Sequence, residues 1–394
     1  MFLKTVMERN QPLVRLGIEW QQNGVILPDT YLLDYDTILE NARSIKQAGD
    51  ANGVQNFFML KQIGRNPLIA RALTDMGYVG AVCVDFREAL TMVENQIPLG
   101  NVGHLVQIPR AALKKILRAK PVIVTVYTLE KAREISAVCT ELGLHQKLML
   151  RVLGEGDMLY SGQYGGFELQ ELDSAVRAIE AMPNVEVGGV CSFPCFLYDE
   201  AAQDILPMPN LRTVQTAAEM LRARGYRDLM LNTPSATCTH SIPMIAAAGG
   251  THGEPGHGLT GTTPYHAGHP DAEERPGYLY VSEVSHNLGD KAYCYGGGHY
   301  RRGHMKNALV GTTPENAKVV PVLPPDDSSI DYHFELQQNC PVSAAAVMAF
   351  RPGAGWQWSK GCPPASRSWR ACTLRWENRS GNDRKDNSQW ESLL

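Results

Sequence analysis

The chain has 394 residues, 44% of them hydrophobic and 20% charged, with a formal net charge of −4. Such a length exceeds one minimal core and implies a large domain with a smaller companion. No basic stripe is interleaved with aromatics, which argues against a nucleic-acid partner, and no apolar run reaches membrane-spanning length. Met1–Asn10 lacks the apolar core and cleavage site of a signal peptide. The nine cysteines are an odd number, and Cys83, Cys191 and Cys238 lie in apolar runs, as reduced buried thiols do. A cytoplasmic globular protein is the expectation.

In chain order, short apolar runs alternate with amphipathic stretches. The predicted strands are Asn56–Lys61, Gly80–Val84, Val102–Ile108, Val122–Val126, Lys147–Leu153, Val185–Ser192, Asp228–Thr233 and a weaker one near Thr251–Gly256. The predicted helices follow Asp36, then Asp85 (whose Asp85-Phe-Arg-Glu88 reads as a capping box), and span Pro109–Leu117, Thr128–Leu142, Leu169–Met182, Asn210–Arg224 and Ala236–Ala248. Eight strands separated by helices predict an α/β fold, a (β/α)8 TIM-type barrel, with function at the carboxyl ends of the strands. A doubly wound open sheet would give the same alternation, and the strand count decides between them.

From Gly277 the period changes. Tyr278–Ser285, Lys291–Tyr295, Asn307–Val310, Lys318–Val322 and Ile330–Leu336 read as strands without intervening helices, a smaller all-β domain. The expected organisation is residues 1–29 joining the β domain, 30–265 forming the barrel and 266–340 the β domain. Residues 341–394 are expected to be a poorly ordered or aberrant tail. Five of the six tryptophans lie there without a periodic face, and the segment carries a net +4.

Two features bear on chemistry. Lys61 follows the continuously apolar Phe57-Phe-Met-Leu60. A lysine at the mouth of a buried strand loses affinity for its proton and becomes a nucleophilic amine, although a solvated lysine capping a strand end fits the same pattern. The second is Gly249-Gly-Thr-His-Gly-Glu-Pro-Gly-His-Gly-Leu-Thr-Gly261, whose glycines let backbone N–H groups converge on an anion. No Gly-Lys-Ser/Thr closes it, so it is not a P-loop, and a plain surface loop is the alternative. Eight of the eleven histidines fall between His240 and His304, but His252-x4-His257 and His266-x2-His269 lie in loops and lack metalloprotease spacing. Cys191-x3-Cys195 reads as packing, and no metal site is assigned.

Tyr31-Leu-Leu-Asp-Tyr-Asp36, the Lys61 strand, Val82–Glu88, Val185–Ser192, Leu231-Asn-Thr-Pro-Ser-Ala236 and Glu254-Pro-Gly256 together resemble the fold-type III pyridoxal 5'-phosphate enzymes. This is the superfamily of alanine racemase and ornithine decarboxylase, and the chain is identified as a member of its bacterial YhfX branch. The resemblance covers about 300 residues, loosely except at Lys61 and Glu254-Pro-Gly256. It implies that Lys61 carries the cofactor as an aldimine, that Gly256 and His257 supply the phosphate-binding backbone, and that Thr233 or Ser235 offers a hydroxyl to the phosphate. Phe193 stands where the family has a histidine stacked on the pyridine. Tyr164 stands near the position of a racemase arginine that touches the O3′ side. Glu254 matches the decarboxylases, where racemases have arginine; a carboxylate there favours the pyridinium, the stronger electron sink. Tyr295, in Tyr295-Gly296, falls near the racemases' second base, although a core strand tyrosine reads as well. Arg301 and Arg302 would suit a substrate carboxylate, or a solvated pair.

The resemblance implies a homodimeric enzyme acting at Cα of an amino acid or related amine, racemase-like or decarboxylase-like. A non-catalytic carrier or regulator of the cofactor is the alternative, and a metal-dependent barrel hydrolase a third.

Overall fold

The structure, a computed structural model, describes residues 2–296, 303–323, 326, 328, 329, 332–351 and 370–374. It divides into two compact units. The first comprises residues 1–41, 62–66 and 259–394, and the second residues 42–61 and 67–258.

The second unit is the barrel. Its parallel strands are Gln55–Asn56, Ala81–Cys83, Leu99–Val102, Ile123–Val126, Gln146–Leu153, Val185–Cys191, Met230–Asn232 and His252–Gly253. Each pairs with the next, and His252–Gly253 pairs back onto Gln55–Asn56. A bridge between Phe58 and Ala81 completes the circuit. Strands covered on both sides read as apolar runs, so Ile-Val-Thr-Val126 is buried throughout. Phe57, Met59, Val82, Val84, Ile123, Met149 and Cys191 form one apolar cluster within it.

Helices between the strands begin where side chains satisfy free backbone donors. Asp85 accepts from the Glu88 N–H at 2.9 Å and Thr128 from that of Lys131 at 3.3 Å. Glu88 departs from the reciprocal capping box: its carboxylate takes the Val84 N–H at 2.6 Å. The predicted strand Val102–Ile108 is displaced. The strand is Leu99–Val102, and the chain turns at Gly103, whose φ of +92° is left-handed; the apolar Leu105, Val106 and Ile108 that suggested a strand lie in the bend that follows.

The first unit is built on an antiparallel sheet of Tyr278–Leu288, Lys291–Tyr295, Asn307–Gly311, Lys318–Leu323 and His333–Leu336. Two strands enlarge it beyond the expected limits. Thr30–Asp34, expected to open the barrel, pairs antiparallel with Tyr278–Val281. Ala345–Met348 lies past the limit expected at residue 340, yet pairs with both Tyr280–Glu283 and Leu309–Gly311. All four of its residues are buried, and an alanine-rich strand covered on both faces has no alternation and a single β-branched residue, Val347, to announce it. Arg370–Leu374 pairs parallel with Thr30–Asp34, whereas residues 352–369 and 375–394 of the expected tail lie outside the described residues.

The N-terminal segment is helical, Leu3–Arg9 and Gln11–Gln22, and lies within the first unit. Phe2, Leu3, Val6, Leu13, Val14 and Ile18 pack on Leu279, Val281 and Val347. All seven described free cysteines are buried. No helix among the described residues is long and apolar enough to cross a membrane.

Leu13 is fully buried in the helix–sheet core. Leu13→Ala is therefore expected to cost about 2–5 kcal/mol, read as a lowered urea midpoint. Lys4→Ala, at a side chain 86% exposed, should leave that midpoint within about 0.5 kcal/mol.

Candidate active site

Lys61 reaches its position through backbone geometry. Phe57 to Leu60 are buried, and the Phe57 and Met59 N–H groups donate to the carbonyls of Gly253 and Pro255 at 3.0 and 2.9 Å. That ladder sets the lysine segment beside the Glu254 loop. Lys61 itself is half-buried and opens a single 3-10 turn, Lys61–Ile63.

Glu254 lies at the carboxyl end of the last barrel strand and is 5% exposed. One carboxylate oxygen, Oε1, accepts from the amides of Asn101 at 3.2 Å and Asn232 at 2.6 Å, both fully buried. Thr125 donates to Asn101 Oδ1 at 2.7 Å, which fixes how that amide faces. The other oxygen, Oε2, is buried without a hydrogen-bond partner, and its neighbour at 3.7 Å is Nε2 of His104. His104 is fully buried. Burial is the main reason its pKa is lowered; Glu254 works against that, while Arg151 and Lys61 reinforce it.

The loops around Glu254 and Thr233 pack as a pair. The Glu254 N–H donates to Thr237 Oγ1 at 3.2 Å, and Ser241 Oγ donates to the Ala236 carbonyl at 2.8 Å, closing the Thr237 turn. A Cβ on Gly258 would stand 2.5 Å from the Thr237 carbonyl oxygen, so only glycine allows the two turns this close. Thr233 Oγ1 is buried and unpartnered, and lies against Gly250, where an added Cβ would stand 2.6 Å from it. Gly256 is buried and His257 half-buried in the same turn. Ser235 is engaged elsewhere, donating to the Phe196 carbonyl at 2.7 Å. Phe193 is half-buried, edge-on to His104 with centroids 5.6 Å apart and tilted against Tyr160 at 5.7 Å.

Arg151 is a fully buried cation held by neutral groups. Its guanidinium donates to Tyr127 Oη at 2.9 Å and to the Gln163 carbonyl at 2.8 Å, lies over the Tyr127 ring, and leaves Nε unpartnered. Tyr127 in turn donates to the His104 carbonyl at 2.6 Å. Arg151 therefore occupies the ground near which Tyr164 was expected, while Tyr164 is 67% exposed. Sequence reasoning passed over Arg151, His104, Asn101 and Asn232. The signal was present for one of them: a charged residue inside the apolar run Lys-Leu-Met-Leu-Arg-Val-Leu153 breaks a fully buried strand.

Tyr295 belongs to the other unit, at the end of Lys291–Tyr295, a strand paired on both sides, and is 39% exposed; its carbonyl accepts from Ser282 and its ring tilts against His333 at 5.8 Å. Arg301 and Arg302 lie outside the described residues. The histidines are dispersed among separate partners. His252 stacks on Phe57, His266 binds Glu274 at 2.9 Å, and His269 stacks on Tyr265. Among the described residues no three His, Cys, Asp or Glu side chains converge as a metal site.

A closed parallel barrel and an antiparallel β unit, with the lysine segment hydrogen-bonded through its backbone to the Glu254 loop, are features of the alanine-racemase-like class. Residues 33–264 match the family described as alanine racemase, N-terminal domain, and residues 279–354 match the YhfX-like C-terminal domain. The chain belongs to the YhfX branch of the fold-type III enzymes, a pyridoxal-phosphate-dependent family. It is 42% identical over 353 residues to the uncharacterized protein YhfX of Escherichia coli (strain K12), covering 89% of this chain and 91% of that protein. Among solved structures it resembles D-threonine aldolase from Filomicrobium marinum, at 16% identity and a TM-score of 0.60 over 82% of this chain and 86% of that one. Alanine racemase of Clostridium difficile 630 gives 15% and 0.59 over 82% and 86%. D-threo-3-hydroxyaspartate dehydratase from Delftia sp. HT23 gives 14% and 0.58 over 82% and 90%. At these identities the structural likeness shows the shared fold.

His252, beneath Glu254, has its pKa pushed down to about 4 by burial. A histidine kept neutral when folded but protonated when unfolded makes stability fall as pH drops from about 6.5 to about 4. Urea titrations across that window should show this slope, and His252→Gln should flatten it.

Proposed function

We propose that the barrel mouth holds pyridoxal 5'-phosphate and works at Cα of an amino acid or related amine. The observation that carries this reading is the free Glu254 Oε2 on a carboxylate whose other oxygen is tied by two amides, beside the Lys61 segment. A buried carboxylate oxygen without a donor is costly, and a protonated ring nitrogen is a donor of the right charge. The unpartnered Thr233 Oγ1 and the backbone of the Gly256–His257 turn suit the phosphate.

When bound, the cofactor supplies an electron sink for a carbanion at Cα. The chain's residues do the remainder. Lys61 would hold the cofactor, and its Nζ would serve as a base toward Cα. Glu254 Oε2 would accept from the cofactor's ring nitrogen. Arg151, a cation with an unpartnered Nε, suits the electron-rich oxygens of cofactor or substrate. Phe193 offers a ring face or edge but no proton. Ser235, committed to the Phe196 carbonyl, is better suited to shaping the loop than to binding phosphate. Tyr295 remains the candidate second base, acting in a homodimer. Racemase-like and decarboxylase-like outcomes share these steps; a cofactor carrier without turnover would share only the binding residues.

Purified protein is expected to absorb in the Schiff-base region and to bleach with borohydride, and Lys61→Ala to lose the band. A Lys61→Ala protein that keeps it overturns the assignment. Deuterium exchange at Cα across a panel of amino acids should separate enzyme from carrier. Glu254→Ala should slow any exchange by about 10–100-fold, the worth of one hydrogen bond to a charged group.

A further inference from the structure

His104 has no part in the reading above, yet it is the neighbour of the carboxylate oxygen on which that reading rests. It is fully buried, on the turn after Leu99–Val102. Its backbone is pinned by Tyr127, whose hydroxyl donates to the His104 carbonyl at 2.6 Å. Its ring has two distinct ends. Nδ1 lies 4.0 Å from Cys191 Sγ, and Nε2 lies 3.7 Å from Glu254 Oε2.

We propose that His104 is a positioning residue for Glu254: an Nε2-protonated imidazole that turns its N–H toward the carboxylate oxygen left free by Asn101 and Asn232, with Cys191 selecting that tautomer from the other side of the ring. Each tautomer puts a lone pair on one nitrogen and a proton on the other. With the proton on Nδ1, the Nε2 lone pair would face a carboxylate oxygen in a buried site, which is repulsive. With the proton on Nε2, an N–H dipole faces the anion, and Nδ1 is left to accept from a thiol. Cys191 can be that donor because burial pushes its pKa up to about 12, so it stays an S–H. Burial likewise lowers the pKa of His104, and the cations Arg151 and Lys61 act in the same sense against a positive ring.

At 3.7 Å the contact is an ion–dipole contact longer than a hydrogen bond. It orients the carboxylate without capturing its lone pairs, so Oε2 keeps the capacity to accept from a cofactor nitrogen. Two amides on Oε1 and one N–H beside Oε2 thus determine the plane and the free face of Glu254. The proposal deepens the pyridoxal-phosphate reading and depends on it for its consequence, but the tautomer is a property of the cofactor-free protein.

The test begins without cofactor. In 15N-labelled full-length protein, two-bond 15N–1H correlation should show His104 with a protonated Nε2 and a bare Nδ1, unchanged between pH 8 and 5. Glu254→Gln should perturb this signal, and Cys191→Ala should mix the tautomers. A protonated Nδ1, or an ordinary imidazole titration, overturns the proposal. Pyridoxal phosphate titrations followed by absorbance then test the consequence. His104→Phe keeps a ring but no donor and should weaken binding about tenfold, whereas His104→Gln, whose amide reaches as Nε2 does, should stay within about threefold. Equal loss in both variants, or none in His104→Phe, overturns it. If His104→Phe fails to fold, Cys191→Ala is titrated in its place and should weaken binding in proportion to its tautomer mixing; unchanged binding despite mixing overturns the proposal. If the unmodified protein binds no pyridoxal phosphate, the cofactor reading falls while the tautomer measurement still decides the His104–Glu254 contact.

Discussion

The donation of the Phe57 and Met59 N–H groups to the carbonyls of Gly253 and Pro255 joins the first strand of the barrel to the segment after its last. Closure removes both sheet edges, and here it does something further. The segments that carry Lys61 and Glu254, far apart in the chain, become neighbours through that backbone ladder. The packed Thr237 and Gly258 turns extend the closure outward. A lysine strand alone, or a glycine-rich loop alone, has several uses; their meeting across the closed seam narrows them.

Above the apolar cluster formed by Phe57, Val82, Ile123 and Met149, the barrel carries buried polar side chains. Thr125, Asn101, Asn232 and Glu254 form one connected hydrogen-bonded chain. Tyr127, Arg151 and the His104 carbonyl form another. Networks of this kind are stable only when their members are satisfied, so the few atoms left over carry information. Glu254 Oε2, Thr233 Oγ1, Asn232 Oδ1 and Arg151 Nε are such atoms, all on residues at the carboxyl ends of barrel strands. Oxygens and one charged nitrogen left open together describe a site for a polar, charged ligand.

The eight-stranded alternation, the lysine at the end of an apolar strand and the Glu254-Pro-Gly256 loop were legible because each is written locally, as period, burial or glycine density. Boundaries were less so. Thr30–Asp34 sits directly before a helix, as a barrel strand would, yet its backbone pairs with Tyr278–Val281, and no local signal distinguishes the two partners. Ala345–Met348 was hidden by its alanines. Tyr164 stands in the sequence near the position of a family arginine and is exposed, while the buried cation is Arg151 on the preceding strand.

By itself, then, the sequence determined the kinds of element, their order, and the presence of a lysine and an acidic residue at strand ends. These follow from side-chain periodicity and backbone freedom, which act over a few residues. The tertiary structure alone decided that one oxygen of Glu254 is tied by Asn101 and Asn232 and the other is left beside His104. Such an arrangement is set by which side chains a closed barrel makes converge from its third, seventh and eighth strands, and convergence across strands leaves no trace in local spacing.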